Sequence, residues 1–212
     1  MVYYKEFEFK TPKQLRGQKA INDISEAVLE LANTVDLDVI TIRNIAKRSG
    51  HPVGTIYHHF KKLDHIFVYL FVSRRRKTIS ELADIINTHS ADQSLRTLIS
   101  HIVDFSIDQL STLNRKAFLF VMSQFMRNTH QPHLTGLELD ILIPLLMQAS
   151  LDDKTGTFFN FNENELRLRL RAVQAIINYP FHEDNPLART SEHREIAIVS
   201  CMQLFSKPSL LE

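Results

Sequence analysis

Two pairs of residues have side chains that could bind a metal or support thiol chemistry. His130 and His133 have a spacing that can hold a metal ion on a helix, and Cys201 follows His193 in the last apolar segment. Zinc needs further ligands, however, and these two histidines flank Pro132 in an expected loop without an adjacent carboxylate or thiolate. Cys201 is the only cysteine and lies on an apolar helix face, which favours packing. We therefore expect no metal site, no catalytic pair and no cofactor.

The composition argues against an enzyme or a membrane protein. The sequence has no glycine-rich phosphate loop and no nucleophile elbow, and only 5 of its 212 residues are glycine. Leu, Ile, Ala, Glu, Lys and Arg are plentiful, which favours helix over sheet. The N-terminus has no signal-peptide pattern, and the longest apolar runs, 66–72 and 141–147, are too short to span a bilayer. We expect an all-α, non-enzymatic, soluble protein, with the lone thiol indicating a reducing cytoplasm.

The segment from Thr41 to Phe60, TIRNIAKRSGHPVGTIYHHF, has a spacing suited to nucleic-acid recognition. It predicts two short helices joined by a tight turn, because Thr41 can cap the first helix and Gly50 permits a positive φ. Ala46 is small where the helices must cross, and Ile56 is apolar where the second helix must meet the core. This spacing is typical of a DNA-binding helix-turn-helix. The alternative is a plain helical hairpin within a larger bundle.

The distribution of charge agrees with a polyanionic partner for the first third of the chain. Residues 1–77 carry 14 Lys/Arg against 8 Asp/Glu, whereas residues 78–212 carry 11 against 16. The overall net charge of +1 therefore conceals a basic first third and an acidic remainder.

The segment resembles the N-terminal DNA-binding domain of the TetR family of bacterial regulators, from about Ile21 to Phe71. The residues that carry the resemblance are Thr41, Ile45, Ala46, Gly50, Gly54, Thr55, Tyr57 and Phe60. The resemblance implies an all-α fold with a three-helix DNA-binding head on a helical ligand-binding and dimerisation body. We accordingly expect a DNA-binding domain at residues 1–62 and the body at residues 63–212.

Roles in DNA binding follow from the same resemblance, position by position. One group would approach the DNA backbone at the start of the second helix, a second would open the recognition helix in the major groove, and a third would reach phosphates. Lysines after the recognition helix would add long-range attraction. In that order the expected DNA-binding residues are Thr41 and Arg43; Val53, Gly54 and Thr55; Tyr57 and His58; Lys61 and Lys62.

The sequence also departs from the family at three positions. Pro52 stands where a capping Ser is common, and Val53 and Leu63 stand where Lys is common. These departures remove polar or basic DNA contacts. They motivate an alternative function, a helical small-molecule-binding or protein-interaction module with weakened or lost DNA binding.

The remainder of the chain predicts amphipathic helices. We expect Pro144 to kink or break one helix and Pro180 to stop another. The family resemblance implies an effector pocket in this part, and the expected lining residues are His101, Asp104, Phe105, Phe120 and Met122. It also implies a homodimer through the last two helices, about 163–179 and 192–205, with apolar positions at Leu166, Leu170, Val173, Ile177, Ile196, Val199 and Leu204.

Together these observations predict a ligand-responsive transcriptional regulator. We expect a repressor that binds double-stranded DNA at a near-palindromic operator as a homodimer and responds to a largely apolar small molecule.

Overall fold

A computed structural model describes residues 14–34, 40–112, 114–129, 138–158 and 160–206. The described residues form nine α-helices: α1 Leu15–Thr34, α2 Ile42–Ser49, α3 Val53–His59, α4 Leu63–Asn87, α5 Leu95–Ser111, α6 Arg115–Thr129, α7 Ile143–Asp152, α8 Glu163–His182 and α9 Ser191–Phe205. A 3₁₀ helix, Glu138–Leu142, precedes α7, and Phe158 and Ser206 form an isolated antiparallel bridge. The all-α prediction is confirmed. None of the helices in these ranges has the length and apolar character needed to cross a membrane. His130 and His133 lie outside the described residues.

The chain divides into two compact units. The N-terminal unit comprises Met1–Arg75 and Asn114–Leu134, and the C-terminal unit comprises Arg76–Leu113 and Thr135–Glu212. Helix α4 therefore contributes to both units, and α6 belongs to the first unit although it follows α5 in sequence. The functional boundary expected between residues 62 and 63 stays a prediction, since these units are defined by packing alone.

The N-terminal unit has its own core, to which α1, α2, α3, α4 and α6 all contribute. Phe71 of α4 stacks on Phe125 of α6 with ring centroids 4.4 Å apart, and Phe67 meets the edge of Phe120 at 5.0 Å. Aromatic pairs in these geometries add to the hydrophobic stabilisation of the core. The support beneath the short helices α2 and α3 therefore includes a helix from the middle of the chain.

Three helices of the C-terminal unit, α5, α8 and α9, begin at a residue whose side chain caps the first turn. Asn162 and Glu165 form a reciprocal capping box at the start of α8, with both hydrogen bonds at 3.0 Å. Pro144 lies in the first turn of α7, where its missing N–H costs no helix bond, and the 3₁₀ helix ends before it. The predicted interruption at Pro144 is thus confirmed.

The prediction that Pro180 stops its helix is wrong, because α8 continues to His182. Proline has no N–H to donate to Ile176, four residues earlier. The imidazole of His193, on α9, supplies the donor instead, with its Nε2 3.2 Å from the Ile176 carbonyl oxygen. The other ring nitrogen, Nδ1, accepts from the Arg189 N–H at 3.2 Å, which fixes the proton on Nε2. A tertiary hydrogen bond therefore replaces the helix bond that proline removes.

Candidate nucleic-acid interface and effector cavity

The helix-turn-helix is assembled from a cap, a glycine turn and apolar anchors. The Thr41 side chain accepts from the Asn44 N–H at 3.2 Å and caps α2. Gly50 ends α2 with φ +71°, a left-handed conformation that a side chain would strain. Ile56 and Phe60 are 0% and 1% exposed. The predicted cap, turn and structural residues are confirmed.

The outer face of α2 and α3 carries the residues expected to contact DNA. Tyr57 is 53% exposed and Val53 40% exposed, and Thr55 is half-buried. The others are all exposed: Thr41, Arg43, Gly54, His58, Lys61 and Lys62. The structure thus brings this set to the surface of one unit, in and beside a helix whose inner face is buried. Contact with DNA stays a prediction for each of them.

This segment is basic without compensating acids. From Ile40 to Lys62 the sequence has five Lys/Arg and no Asp or Glu. Arg48 forms an ion pair with Glu30 of α1, so the positive charge of Arg48 is partly neutralised within the protein. The excess of positive charge along this segment favours a polyanion such as the DNA backbone.

A hydrogen-bonded cluster fixes the turn to α1. Asp23 accepts from His51 at 2.9 Å, just after the turn, and from Lys19 at 2.9 Å. The hydrogen bond from His51, followed by the bond from Lys19, lowers the pKa of the Asp23 carboxyl. Asp23 is therefore ionised at neutral pH and holds the segment that leads into α3.

Two histidines near the recognition helix are neutral at physiological pH. Burial lowers the pKa of His59, and the neighbouring His58 and His51 lower it further. Burial also lowers the pKa of His65, with a smaller contribution from Lys62. His59 and His65 therefore add no positive charge to this surface at pH 7.

The three departures from the family pattern have visible local consequences. Pro52 is the N-cap residue of α3 and makes no side-chain capping bond. Val53 exposes part of an apolar side chain, and Leu63 is half-buried at the start of α4. These positions present no charged group to a partner.

The C-terminal unit contains a cavity of about 220 Å³. Its described lining is mostly aliphatic and comes from α5, α7, α8, α9 and the segment between α7 and α8. The residues are Leu95, Leu98, Ile99, Ile102, Val103, Leu146, Met147, Ser150, Leu151, Phe158, Asn160, Phe161, Leu166, Leu170, Val173, Cys201 and Phe205. Mostly apolar cavities with a few polar groups are the common form of small-molecule sites.

The residues that we expected to line an effector pocket lie elsewhere. Phe120 and Met122 pack against the core of the N-terminal unit. His101 is exposed, Phe105 is half-buried, and the Asp104 carboxylate accepts from Arg194 at 3.0 Å. None of the five is among the described residues around the cavity. Their role as effector contacts stays a prediction, and the cavity offers a different set.

Sequence reasoning missed the cavity because its lining has the same pattern as a packed core. Leu95, Leu98, Ile99, Ile102 and Val103 form an ordinary apolar stripe along α5. Only the spacing between helices distinguishes a stripe that lines an empty space from one that is filled. The available signal was weak: two polar residues, Ser150 and Asn160, beside apolar segments.

Helices α8 and α9 expose apolar side chains. Leu168 is 73% exposed, Tyr179 58%, Ile196 48% and Val199 43%. The prediction of a dimer contact is wrong for Leu166, Leu170 and Ile177, because their side chains are buried in the core of their own unit. Val173 lines the cavity, and Leu204 is half-buried. The large apolar side chains that these two helices leave exposed are Leu168, Tyr179, Ile196 and Val199, which together we call the α8–α9 face.

Comparison with known proteins agrees with this architecture. Residues 24–70, which contain α2, α3 and most of the core beneath them, match the family model described as bacterial regulatory proteins, tetR family. A structure described as a tetR-family transcriptional regulator from Mesorhizobium loti aligns with a TM-score of 0.67 at 11% identity, covering 92% of this chain and 100% of that chain. The fatty acid degradation regulator FadR from Bacillus halodurans aligns with a TM-score of 0.58 at 14% identity, covering 87% and 96%. At these identities the likeness to solved structures establishes the fold. No curated protein sequence matches the chain.

Proposed function

We propose that this chain belongs to the tetR family of bacterial regulatory proteins and is a dimeric cytoplasmic repressor whose DNA affinity is controlled by a small molecule. The observation that carries the proposal is the face of α2 and α3. It is basic and free of Asp and Glu from Ile40 to Lys62, and it lies over an inner face anchored by Ile56 and Phe60. A short helix held rigidly from behind and exposed in front suits insertion into the major groove.

Dimerisation supplies the second half of the DNA site. The α8–α9 face exposes four large apolar side chains, which a second copy would remove from water. An interface that uses the same patch on both copies has two-fold symmetry. A two-fold dimer presents two recognition helices to successive major grooves and reads a near-palindromic sequence.

Ligand control is the remaining part of the proposal. The cavity supplies space for an effector, and α4 contributes residues to both compact units. An effector lowers DNA affinity only by binding one arrangement of the dimer better than the other, and bound DNA lowers effector affinity by the same factor.

The direct test is gel-shift binding to DNA upstream of the protein's own gene, across a salt series. We expect specific binding. The logarithm of its association constant should fall steeply with the logarithm of salt concentration, because Lys and Arg displace counterions from phosphates. Replacing Lys61 and Lys62 by Gln should reduce that slope by about 2. Lys154→Gln, on an ion-paired lysine of the C-terminal unit, is the matched control.

A second variant tests close approach at the recognition helix. A Cβ on Gly54 would meet no protein atom within 4 Å, so Gly54→Ala leaves the protein's own packing intact. If the backbone here lies against DNA, the added methyl group lowers operator affinity while thermal stability is kept.

In the gel-shift test, DNA binding that is absent or insensitive to salt would instead support a protein-interaction module, the alternative motivated by Pro52, Val53 and Leu63.

The dimer is tested by sedimentation. Ile196→Glu places a charge in the α8–α9 face and should shift the protein towards monomer. Ile141→Glu makes the same change on another exposed side chain, 61% accessible and outside that face. Equal oligomeric states for the two variants would contradict the proposed interface.

A further inference from the structure

We infer that the cavity of the C-terminal unit takes a neutral, mainly aliphatic molecule of about nine non-hydrogen atoms with one hydrogen-bonding group, a medium-chain alcohol being the simplest example. The inference rests on the proposed effector role for its regulatory meaning, but the ligand class follows from the cavity alone.

The apolar character of the ligand follows from the lining. Among the described residues around the cavity, none carries a charged side chain, and all but Ser150 and Asn160 are apolar or thiol-bearing. The thiol of Cys201 adds no charge, because burial raises its pKa to about 12. Transfer of an unpaired charge into such a space is strongly unfavourable, whereas each buried methylene is favourable.

The size of the ligand follows from the volume. An engineered protein cavity of about 150 Å³ binds benzene, which has six carbon atoms. In proportion, the cavity here, about 220 Å³, accommodates about nine non-hydrogen atoms. Larger molecules would have to extend towards the rim, where Met147 and Leu151 are 37% and 69% exposed.

The polar group of the ligand is expected to bind beside Ser150 and Asn160, the two polar residues among the described lining. The Ser150 hydroxyl donates to Asn160 Oδ1 at 2.7 Å, and Asn160 is exposed, so this pair marks the polar edge of the cavity. With these roles, the serine oxygen can accept and the asparagine NH₂ can donate. A ligand hydroxyl can hydrogen-bond to both groups, because it donates and accepts at one oxygen.

The rim disfavours an anionic head group. The segment after Ser150 contains the carboxylates of Asp152 and Asp153, and its one cation, Lys154, lies 3.3 Å from Asp92. A ligand carboxylate at the Ser150–Asn160 edge would therefore lack a cationic partner among the described lining residues. This separates a neutral alcohol from a fatty acid of the same length.

The experiment is calorimetric titration of the full-length protein with straight-chain primary alcohols from hexanol to dodecanol. Affinity should rise about fourfold for each added CH₂ and level off at octanol to nonanol, which have about nine to ten non-hydrogen atoms and fill the space. Nonanoate should bind at least about tenfold more weakly than nonanol. No binding of any alcohol, a continued rise to dodecanol, or equal binding of nonanoate would each overturn the ligand class.

Two pairs of variants place the ligand in this cavity. Ile102→Phe fills space at a half-buried lining position and should abolish nonanol binding, whereas Ile141→Phe, outside the lining, should leave it unchanged. Ser150→Ala should weaken nonanol binding about three- to tenfold and leave benzene binding unchanged, because benzene makes no hydrogen bond there. Ser80→Ala, on an exposed serine of α4, is the control. Thermal unfolding of each variant verifies the fold, and a Ser150→Ala protein that loses nonanol and benzene equally would contradict the polar edge.

The proposed ligand class and the proposed regulatory role can be refuted independently of each other. If nonanol binds with the expected size dependence but operator affinity is unchanged at saturation, the cavity assignment stands and the effector role is refuted. If no member of the series binds, the ligand class is refuted whatever the operator affinity.

Discussion

Replacing His193 by Leu should destabilise the protein through a specific loss of two partly buried hydrogen bonds. The imidazole is 3% exposed, accepts from the Arg189 N–H and donates to the Ile176 carbonyl, each at 3.2 Å. Leucine fills a similar volume but can do neither. A typical intramolecular hydrogen bond contributes about 0.5–1.5 kcal/mol, and a backbone group that loses its partner away from water costs somewhat more. Because both bonds are long and only partly buried, we expect a total loss of about 1–3 kcal/mol in the free energy of unfolding.

Urea unfolding at one fixed protein concentration measures this loss, since the stability of the proposed dimer would depend on concentration. His101→Leu makes the same substitution on an exposed histidine and should change stability by less than about 0.5 kcal/mol. The comparison separates the lost hydrogen bonds from any general effect of replacing His by Leu.

The proline provides the decisive second perturbation. Pro180→Ala restores an N–H that can bond to the Ile176 carbonyl, the group that His193 otherwise satisfies. The alanine should therefore stabilise the His193→Leu protein by about 1 kcal/mol more than it stabilises the wild type. Two results would refute the conclusion that His193 replaces the N–H missing at Pro180. One is a loss of unfolding free energy below about 0.5 kcal/mol for His193→Leu, and the other is an equal effect of Pro180→Ala on the stability of wild type and His193→Leu.

Three further predictions concern single residues. Gly50→Ala should lower the free energy of unfolding by about 1–2 kcal/mol in chemical denaturation, because φ is +71° there; an unchanged midpoint would contradict a strained turn. Cys201 should react with a polar thiol reagent about 1000-fold more slowly in the folded than in the unfolded protein, since burial raises its pKa from 9.0 to about 12, and equal rates would show an accessible thiol. Burial of the Asp153 carboxyl opposes ionisation, but hydrogen bonds from the Thr155 side chain and from backbone N–H groups outweigh it and lower the pKa below 3.8. The stability that Asp153 contributes is therefore complete above pH 3.8 and is lost as the pH falls through its lowered folded pKa, so the difference between wild type and Asp153→Asn should shrink in acid and stay constant near neutrality.

The local elements of the DNA-binding face could be predicted from the sequence because their causes are local. Thr41 caps α2 through an N–H three residues away, and Gly50 supplies a backbone angle that few other residues adopt. The 3.6-residue period decides that Ile56 faces inwards while its neighbours face outwards. Each of these depends on a few consecutive residues.

The arrangement between distant helices could not be predicted in the same way. Phe120 and Met122 fit an effector pocket by residue type, yet α6 packs them into the N-terminal unit. Leu166, Leu170 and Ile177 fit a dimer seam by spacing, yet their own unit buries them. An apolar stripe on a helix predicts that this surface will be buried. It does not predict which other element or molecule will cover it, because the hydrophobic effect is not directional.

The sequence by itself therefore determined the all-α class, the Thr41 cap, the Gly50 turn and the basic character of α2 and α3, since propensity, periodicity and charge belong to neighbouring residues. Only the tertiary structure decided that α8 continues through Pro180, because the compensating donor comes from His193 on another helix. It alone also decided that the stripe on α5 borders an empty space. A cavity is a property of the distances between helices, and residues that line it have the same chemistry as residues that fill a core.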